Sequence, residues 1–160
     1  MPVRASFDFS ITSTLPATVA EVWAHARTMA GVNREFWPLA RMTYPAHFGA
    51  LDADTVVLGQ RLFRSWILLF GLLPIDYDDL TLIAVMPEGG FVECSTMLTQ
   101  KEWRHERRLS AVPEGCQITD SITFVPRWPV LGPLFRPVFA LAFRWRHHNL
   151  RKLFAAPGTR

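Results

Sequence analysis

The chain opens on an alternating stretch. From Arg4 to Thr14, Phe7, Phe9 and Ile11 stand against Ser6, Asp8, Ser10 and Thr12, and a period of two predicts a half-buried strand. A helix is expected next, with Pro16 in its first turn, where the missing N–H has no intrahelical partner. Val19, Val22, Trp23 and Ala26 form its apolar stripe. Gly31 or the turn before it should break this helix, and Val32 to Trp37 should form a second short one ended by Pro38. Arg41 to His47 reads as a short strand and Ala50 to Thr55 as a loop. Leu58 to Leu73 is almost unbroken in its apolarity, which fits either a buried strand or a short helix. From Ile75 the alternation returns, with Leu80, Leu82 and Ala84 on one side. Turns at Pro87-Glu88-Gly89-Gly90, Thr99-Gln100-Lys101 and Pro113-Glu114-Gly115 then separate strands over 91–98, 102–112 and 117–126, an antiparallel meander.

The last element, Leu134 to Phe154, is predicted as a helix of roughly 27–32 Å at 1.5 Å per residue. Leu134, Val138, Leu141 and Trp145 form one apolar stripe; Phe139, Phe143, Leu150 and Phe154 form another. The first half is therefore expected to be buried or covered. The second half carries Arg144, Arg146, His147, His148, Arg151 and Lys152 and is expected to be solvated on one side.

Composition narrows the class. With 160 residues, 49% hydrophobic and 12% aromatic, the chain can bury a real core as a single domain over residues 1–160. Its longest apolar run, Trp66 to Ile75, is about half of what spans a bilayer. The N-terminus has no apolar h-region, so a cytoplasmic location is expected. Residues 1–100 hold 6 Arg and no Lys against 10 acids; residues 101–160 hold 11 basic residues against 4 acids. Much of that basic excess falls on one strand and near one helix C-terminus, where the dipole favours cations. Cys94 and Cys116 lack metal-ligand spacing, and with a strand between them they are expected to stay free thiols. No zinc, P-loop, dinucleotide or nucleophile-elbow motif occurs, so no cofactor and no metal are expected. Aromatic and basic residues do not interleave on an exposed sheet, which disfavours nucleic acid.

The hairpin over 102–126 holds the candidate chemistry. Trp103, His105, Arg107 and Leu109 share one strand face; Ile118, Asp120, Ile122 and Phe124 share the facing one. Both look apolar enough to point inward, which buries His105, Arg107 and Asp120. A turn at 113–115 sets Asp120 near Arg108, with Arg107 or His105 within diagonal reach. Two readings stay open: Asp120 orients His105 beside an Arg107 that binds an oxyanion, or the three form an internal salt bridge that fixes the register. On the strand 91–98, Glu93, Ser95 and Met97 or the alternate set could face inward. Tyr77-Asp78-Asp79 does not make convergent cation ligands, and His25, His47, His147 and His148 read as ordinary histidines.

A strand, two short helices, a meander and a long C-terminal helix resemble the START-like helix-grip superfamily (SRPBCC). Pro16-Ala17-x-x-Ala20-Glu21-Val22-Trp23, Trp103-x-His105 with Gly115-x-x-x-x-Asp120, and Phe143-Arg144-x-Arg146-His147-x-x-Leu150 are similar to its polyketide cyclase/dehydrase branch. The resemblance implies an α+β helix-grip fold, a curved antiparallel sheet wrapped around the C-terminal helix, with a small hydrophobic or aromatic ligand or lipid held between them. It implies a binding or carrier protein, with a polyketide cyclase or aromatase-type enzyme as the alternative. A protein- or membrane-interaction module is the third reading. The expected ligand contacts are Trp66, Phe70, Trp103, His105, Arg107, Asp120, Ile122, Phe139 and Phe143, with His105 and Asp120 as the candidate catalytic pair. The run Trp66 to Ile75 could gate the cavity; it or the C-terminal helix could also join a homodimer.

Overall fold

The structure, a computed structural model, describes residues 4–52 and 54–155. Residues 1–3, Ala53 in the expected loop and residues 156–160 lie outside the described residues. The elements run β1 (Phe7–Leu15), α1 (Val19–Ala26), α2 (Met29–Phe36), β2 (Ala40–Met42), β3 (Arg61–Leu69), β4 (Leu73–Val85), β5 (Gly90–Met97), β6 (Gln100–Val112), β7 (Gly115–Pro126) and α3 (Gly132–Leu153). All seven strands form one antiparallel sheet in the order β1-β7-β6-β5-β4-β3-β2. The sheet curls round α3, the helix-grip fold.

Several local expectations are corrected. Pro16 lies before α1, in a turn closed by Ala17 N–H donating to Leu15 O at 2.9 Å. The helix begins later because Thr18 and Glu21 form a reciprocal capping box, which satisfies two orphan N–H groups at once. The first helix is broken by the turn before Gly31, at Arg27 and Thr28; Gly31 itself lies inside α2, where a Cβ would sit 2.0 Å from His25 O. Only glycine lets the two helices approach so closely. Within the ambiguous run 58–73, Arg61–Leu69 is strand β3, paired with β4 and, at its end, with β2, with Phe63 and Ser65 inward and Arg64 and Trp66 outward. The expected strand over 41–47 shrinks to Ala40–Met42.

Three apolar clusters build the interior. Phe9, Met97, Trp103, Ile122, Phe124 and Phe143 pack with Phe135 and Phe139 beneath the first half of α3. Leu15, Val22, Leu109, Cys116, Ile118 and Leu150 pack under its last turns. Met29, Phe48, Phe63 and Leu80 close the side near α2 and the loop before β3. Cys94 and Cys116 are free thiols, one exposed and one buried.

The surface of α3 departs from expectation in two ways. The stripe Leu134, Val138, Leu141 faces solvent, because the other stripe, with Phe143 and Leu150, takes the sheet. In the basic half, Arg146 and His147 are buried, although Arg144, Arg151 and Lys152 are exposed. Phe143, His147 and Leu150 fall at i, i+4 and i+7, so geometry and not polarity sets their direction.

Candidate functional site

β6 and β7 supply the floor of the site. Their alternation sends Trp103, His105, Arg107 and Leu109 inward from one strand and Phe124, Ile122, Asp120 and Ile118 from the other. The register places Arg107 directly opposite Asp120, not Arg108. The shift of one residue arises because Val112 pairs with Gly115, leaving only Pro113 and Glu114 as the loop. Gly115 accepts this at φ +137°, a backbone angle that other residues resist. Arg107 and Asp120 thus project side by side between two apolar layers.

Asp120 is wholly buried and fully used. Its Oδ1 accepts from His105 Nε2 at 2.7 Å and Arg107 Nε at 2.8 Å. Its Oδ2 accepts from Arg107 Nη2 at 2.7 Å and His147 Nε2 at 2.9 Å. Ser13 Oγ meets His147 Nδ1 at 2.8 Å, tying β1 to α3. On the far side of Arg107, Nη1 and Nη2 each donate to the Glu35 carboxylate at 2.9 Å. Arg146 Nε donates to Glu35 Oε2 at 2.9 Å. His25 Nε2 stands 3.3 Å from Glu35 Oε1 but out of line for a hydrogen bond. Arg107 is therefore forked between two carboxylates, a geometry suited to its planar guanidinium.

Charge states follow from these neighbours. Burial would push both acids up, but Arg107 and Arg146 outweigh it at Glu35, and Arg107 and His105 outweigh it at Asp120. Both carboxyls are held well below the usual range. The Arg107 guanidinium is held above its ordinary value, because the charges of Asp120 and Glu35 outweigh its burial. Burial itself lowers Arg146, although Glu35 opposes the shift.

A second polar cluster adjoins the first through His105. Its Nδ1 faces Glu93 Oε2 at 3.6 Å, and Ser95 Oγ donates to Glu93 Oε1 at 2.7 Å. Burial raises Glu93, yet hydrogen bonding and charge from His105 bring it below the ordinary carboxylate value. Asp78 goes the other way: burial, followed by the Glu93 charge, lifts it well above. Asp78 is 4% exposed, and its Oδ1 has no hydrogen-bond partner among the described residues.

Asp78 lines a cavity of about 60 Å³. Leu80, Leu82 and Phe91 form its sheet wall, Ala26, Met29 and Val32 its helix wall, and Met42 and Leu51 its outer rim. Asp78, Glu93, His105 and Arg146 supply the polar groups. Ligand pockets run to about 300–1,000 Å³, whereas this cavity has room for a few waters. Among the described residues no three His, Cys, Asp or Glu side chains gather for a metal ion.

Of the candidates read from the sequence, only His105 reaches the cavity wall. Arg107 and Asp120 lie behind it, with no exposed surface. Trp103, Ile122 and Phe143 belong to the aromatic cluster, and Phe139 packs against it; the Phe143 ring centroid lies 5.1 Å from that of His105. Trp66 stands on the exposed side of the sheet and Phe70 is exposed in the turn between β3 and β4. The structure thus brings together His105, Arg107 and Asp120 but not the two residues of the expected gate. Glu35, Asp78, Glu93, Arg146 and His147 were missed as members. Asp78 had a usable signal, since it shares a strand face with Leu80 and Leu82. His147 had one in its spacing from Phe143 and Leu150.

The comparisons place this geometry. A family model matches residues 13–154. The chain belongs to the family Domain of unknown function (DUF8410). The match takes in every member of the polar network, from Ser13 to His147. No curated protein matches the DUF8410 chain in sequence. Protein CV1439 from Chromobacterium violaceum is similar in structure at TM-score 0.69 and 12% identity, covering 93% of this chain and 98% of that one. Ara h 8.0201 is similar at 0.61 and 13%, covering 94% and 98%. The di-domain ARO/CYC StfQ from the steffimycin biosynthetic pathway is similar at 0.64 and 11%, covering 94% of this chain and 50% of that one. At these identities the likeness carries the fold of the DUF8410 domain, the helix grip. No helix among the described residues is long and apolar enough to cross a membrane.

Proposed function

We propose that the protein binds a small apolar or aromatic molecule carrying one hydroxyl or carbonyl group. The observation that carries this reading is a mostly apolar cavity lined by Asp78, whose buried Oδ1 has no hydrogen-bond partner among the described residues. A buried oxygen without a partner costs about 1–3 kcal/mol, and a ligand hydroxyl that donates to it recovers that loss. The apolar remainder lies against Leu80, Leu82, Phe91 and Val32. A ring-sized ligand needs the cavity to widen, and Met29 on its helix wall belongs to the small cluster with Phe48, Phe63 and Leu80 that would have to yield. Trp103, Ile122, Phe139 and Phe143 do not line this cavity; Phe143 meets it through His105, whose ring it contacts edge-on. Arg107 spends its donors on Glu35 and Asp120, so it is not the ligand's anion site.

Binding is favoured over catalysis by the setting of His105. Its Nε2 is hydrogen-bonded to Asp120 at 2.7 Å, and its Nδ1 faces the Glu93 carboxylate at 3.6 Å, which competes with a ligand for any proton Nδ1 carries. An enzyme of aromatase/cyclase type, the class named for StfQ, would instead use Asp78, an acid beside an ionised Glu93. Fluorescence titration with 2-naphthol, an apolar ring system with one hydroxyl, tests the reading. Saturable binding by the wild type is expected, and Val32→Phe, which fills the cavity, should weaken it at least about tenfold. Arg104→Ala, on the outer strand face, should leave it unchanged. Absence of saturable binding, or equal affinity in Val32→Phe, would remove the proposal. Recovery of chemically altered naphthol would move it to the enzyme class.

A further inference from the structure

The outer side of α3 carries a feature that the cavity does not use. Leu134 and Leu141 are 61% and 64% exposed, on one helix line with Val138 between them. Trp145 continues that line, and its Nε1 donates to Trp37 O at 3.2 Å. Trp37 is exposed, and its ring lies against the tip of the β3–β4 hairpin, where a Cβ on Gly71 would be 3.2 Å from it. Phe70 and Leu72 flank Gly71 and are exposed, Leu72 at 84%. Three segments distant in sequence therefore meet as one apolar surface. Patches of this kind on a folded chain mark contact with a partner or a bilayer.

The charges around it choose between them. Arg34 and Arg41 border Trp37 in a shallow groove with Leu153, and Arg144 and Lys152 stand exposed on α3. None of the four forms an ion pair among the described residues. No acidic residue follows Asp120 in the chain. A second copy docked by the same face across a two-fold axis would bring two such basic rims together with no acid on α3 to meet them. An apolar centre with a basic rim instead matches a surface helix seated between headgroups and acyl chains. We propose that this face docks on an anionic lipid bilayer, with Leu134, Leu141, Phe70 and Leu72 inserted and the four basic side chains at phosphate level.

Each basic residue near an anionic surface is worth about fivefold in partitioning. The full chain should therefore sediment with phosphatidylcholine vesicles containing phosphatidylserine, much less with phosphatidylcholine alone, and less again in about 0.5 M salt. Arg34→Gln with Arg41→Gln should cut partitioning roughly twentyfold, and Leu134→Asp with Leu141→Asp at least about tenfold. All four positions are solvent-facing, so unfolding midpoints should stay put, and 2-naphthol binding should be unaffected. Equal binding to neutral and anionic vesicles, or none to either, overturns the proposal. So does a concentration-dependent dimer that Leu141→Asp disperses in a protein without vesicle affinity.

Discussion

Replacing Asp120 with alanine should lower the unfolding free energy by about 3–5 kcal/mol. The loss comes from what the substitution leaves behind more than from what it removes. His105, Arg107 and His147 all donate to this carboxylate, and Arg107 is fully buried. Glu35→Ala should cost as much, because it strands Arg107 and Arg146 together. Asp120→Asn should cost less, since part of the hydrogen bonding survives. Combining Asp120→Ala with Arg107→Met should cost less than the sum of the two single changes by about 1–3 kcal/mol, the coupling expected of groups in one network. Urea denaturation checks each arm. An unchanged midpoint in Asp120→Ala would mean that the carboxylate is hydrated and that β7 faces the other way.

This network shows where the sequence is legible and where it stops. The faces of β6 and β7 follow from alternation, so His105, Arg107 and Asp120 could be assigned inward without coordinates. Their partners could not, because Glu35 and Arg146 come from helices whose docking depends on the whole fold. Arg146 and His147 were read by charge as a solvated helix end. Their positions between Phe143 and Leu150 point to the sheet, and burial holds because Glu35 and Asp120 wait there. The hairpin register failed by one residue for a local reason: Gly115 joins the ladder, which a turn drawn from Pro-Glu-Gly composition alone does not show. The cavity was expected under α3, but twelve Phe in the chain include Phe135, Phe139 and Phe143, which fill that space. What remains open lies beside α1 and α2.

The second large effect is the pH profile of stability. Glu35, Asp120 and Glu93 have depressed values in the folded chain. Their contributions are complete above the unfolded carboxylate range near pH 4 and fade as pH falls through the folded values. Each such proton is worth about 1.4 kcal/mol per pH unit, so three together give a limb of up to about 4 kcal/mol per unit below pH 4. Asp78 and Asp76 act with the opposite sign. Burial raises both, so the folded chain keeps protons that the unfolded chain releases above pH 4. Stability from these two is full below that point and is lost as pH rises through their folded values. The sum is a maximum in mildly acidic solution. Asp78→Asn, which keeps the shape of the protonated acid, should flatten the limb above the unfolded carboxylate range and leave the acid limb intact. The variant should then exceed the wild type in stability at pH 8. Parallel wild-type and Asp78→Asn profiles above that range would show that Asp78 is not held protonated.

The central claim is that the space between α1, α2 and the β4–β6 face is a ligand site. The most direct test is to follow backbone amide NMR signals of isotope-labelled protein through a 2-naphthol titration. The account predicts saturable shifts clustered at residues 26–32, 78–82, 91–93 and 105, the walls of that cavity. Shifts confined to the outer stripe from Leu134 to Leu141, or no shifts at all, would contradict it.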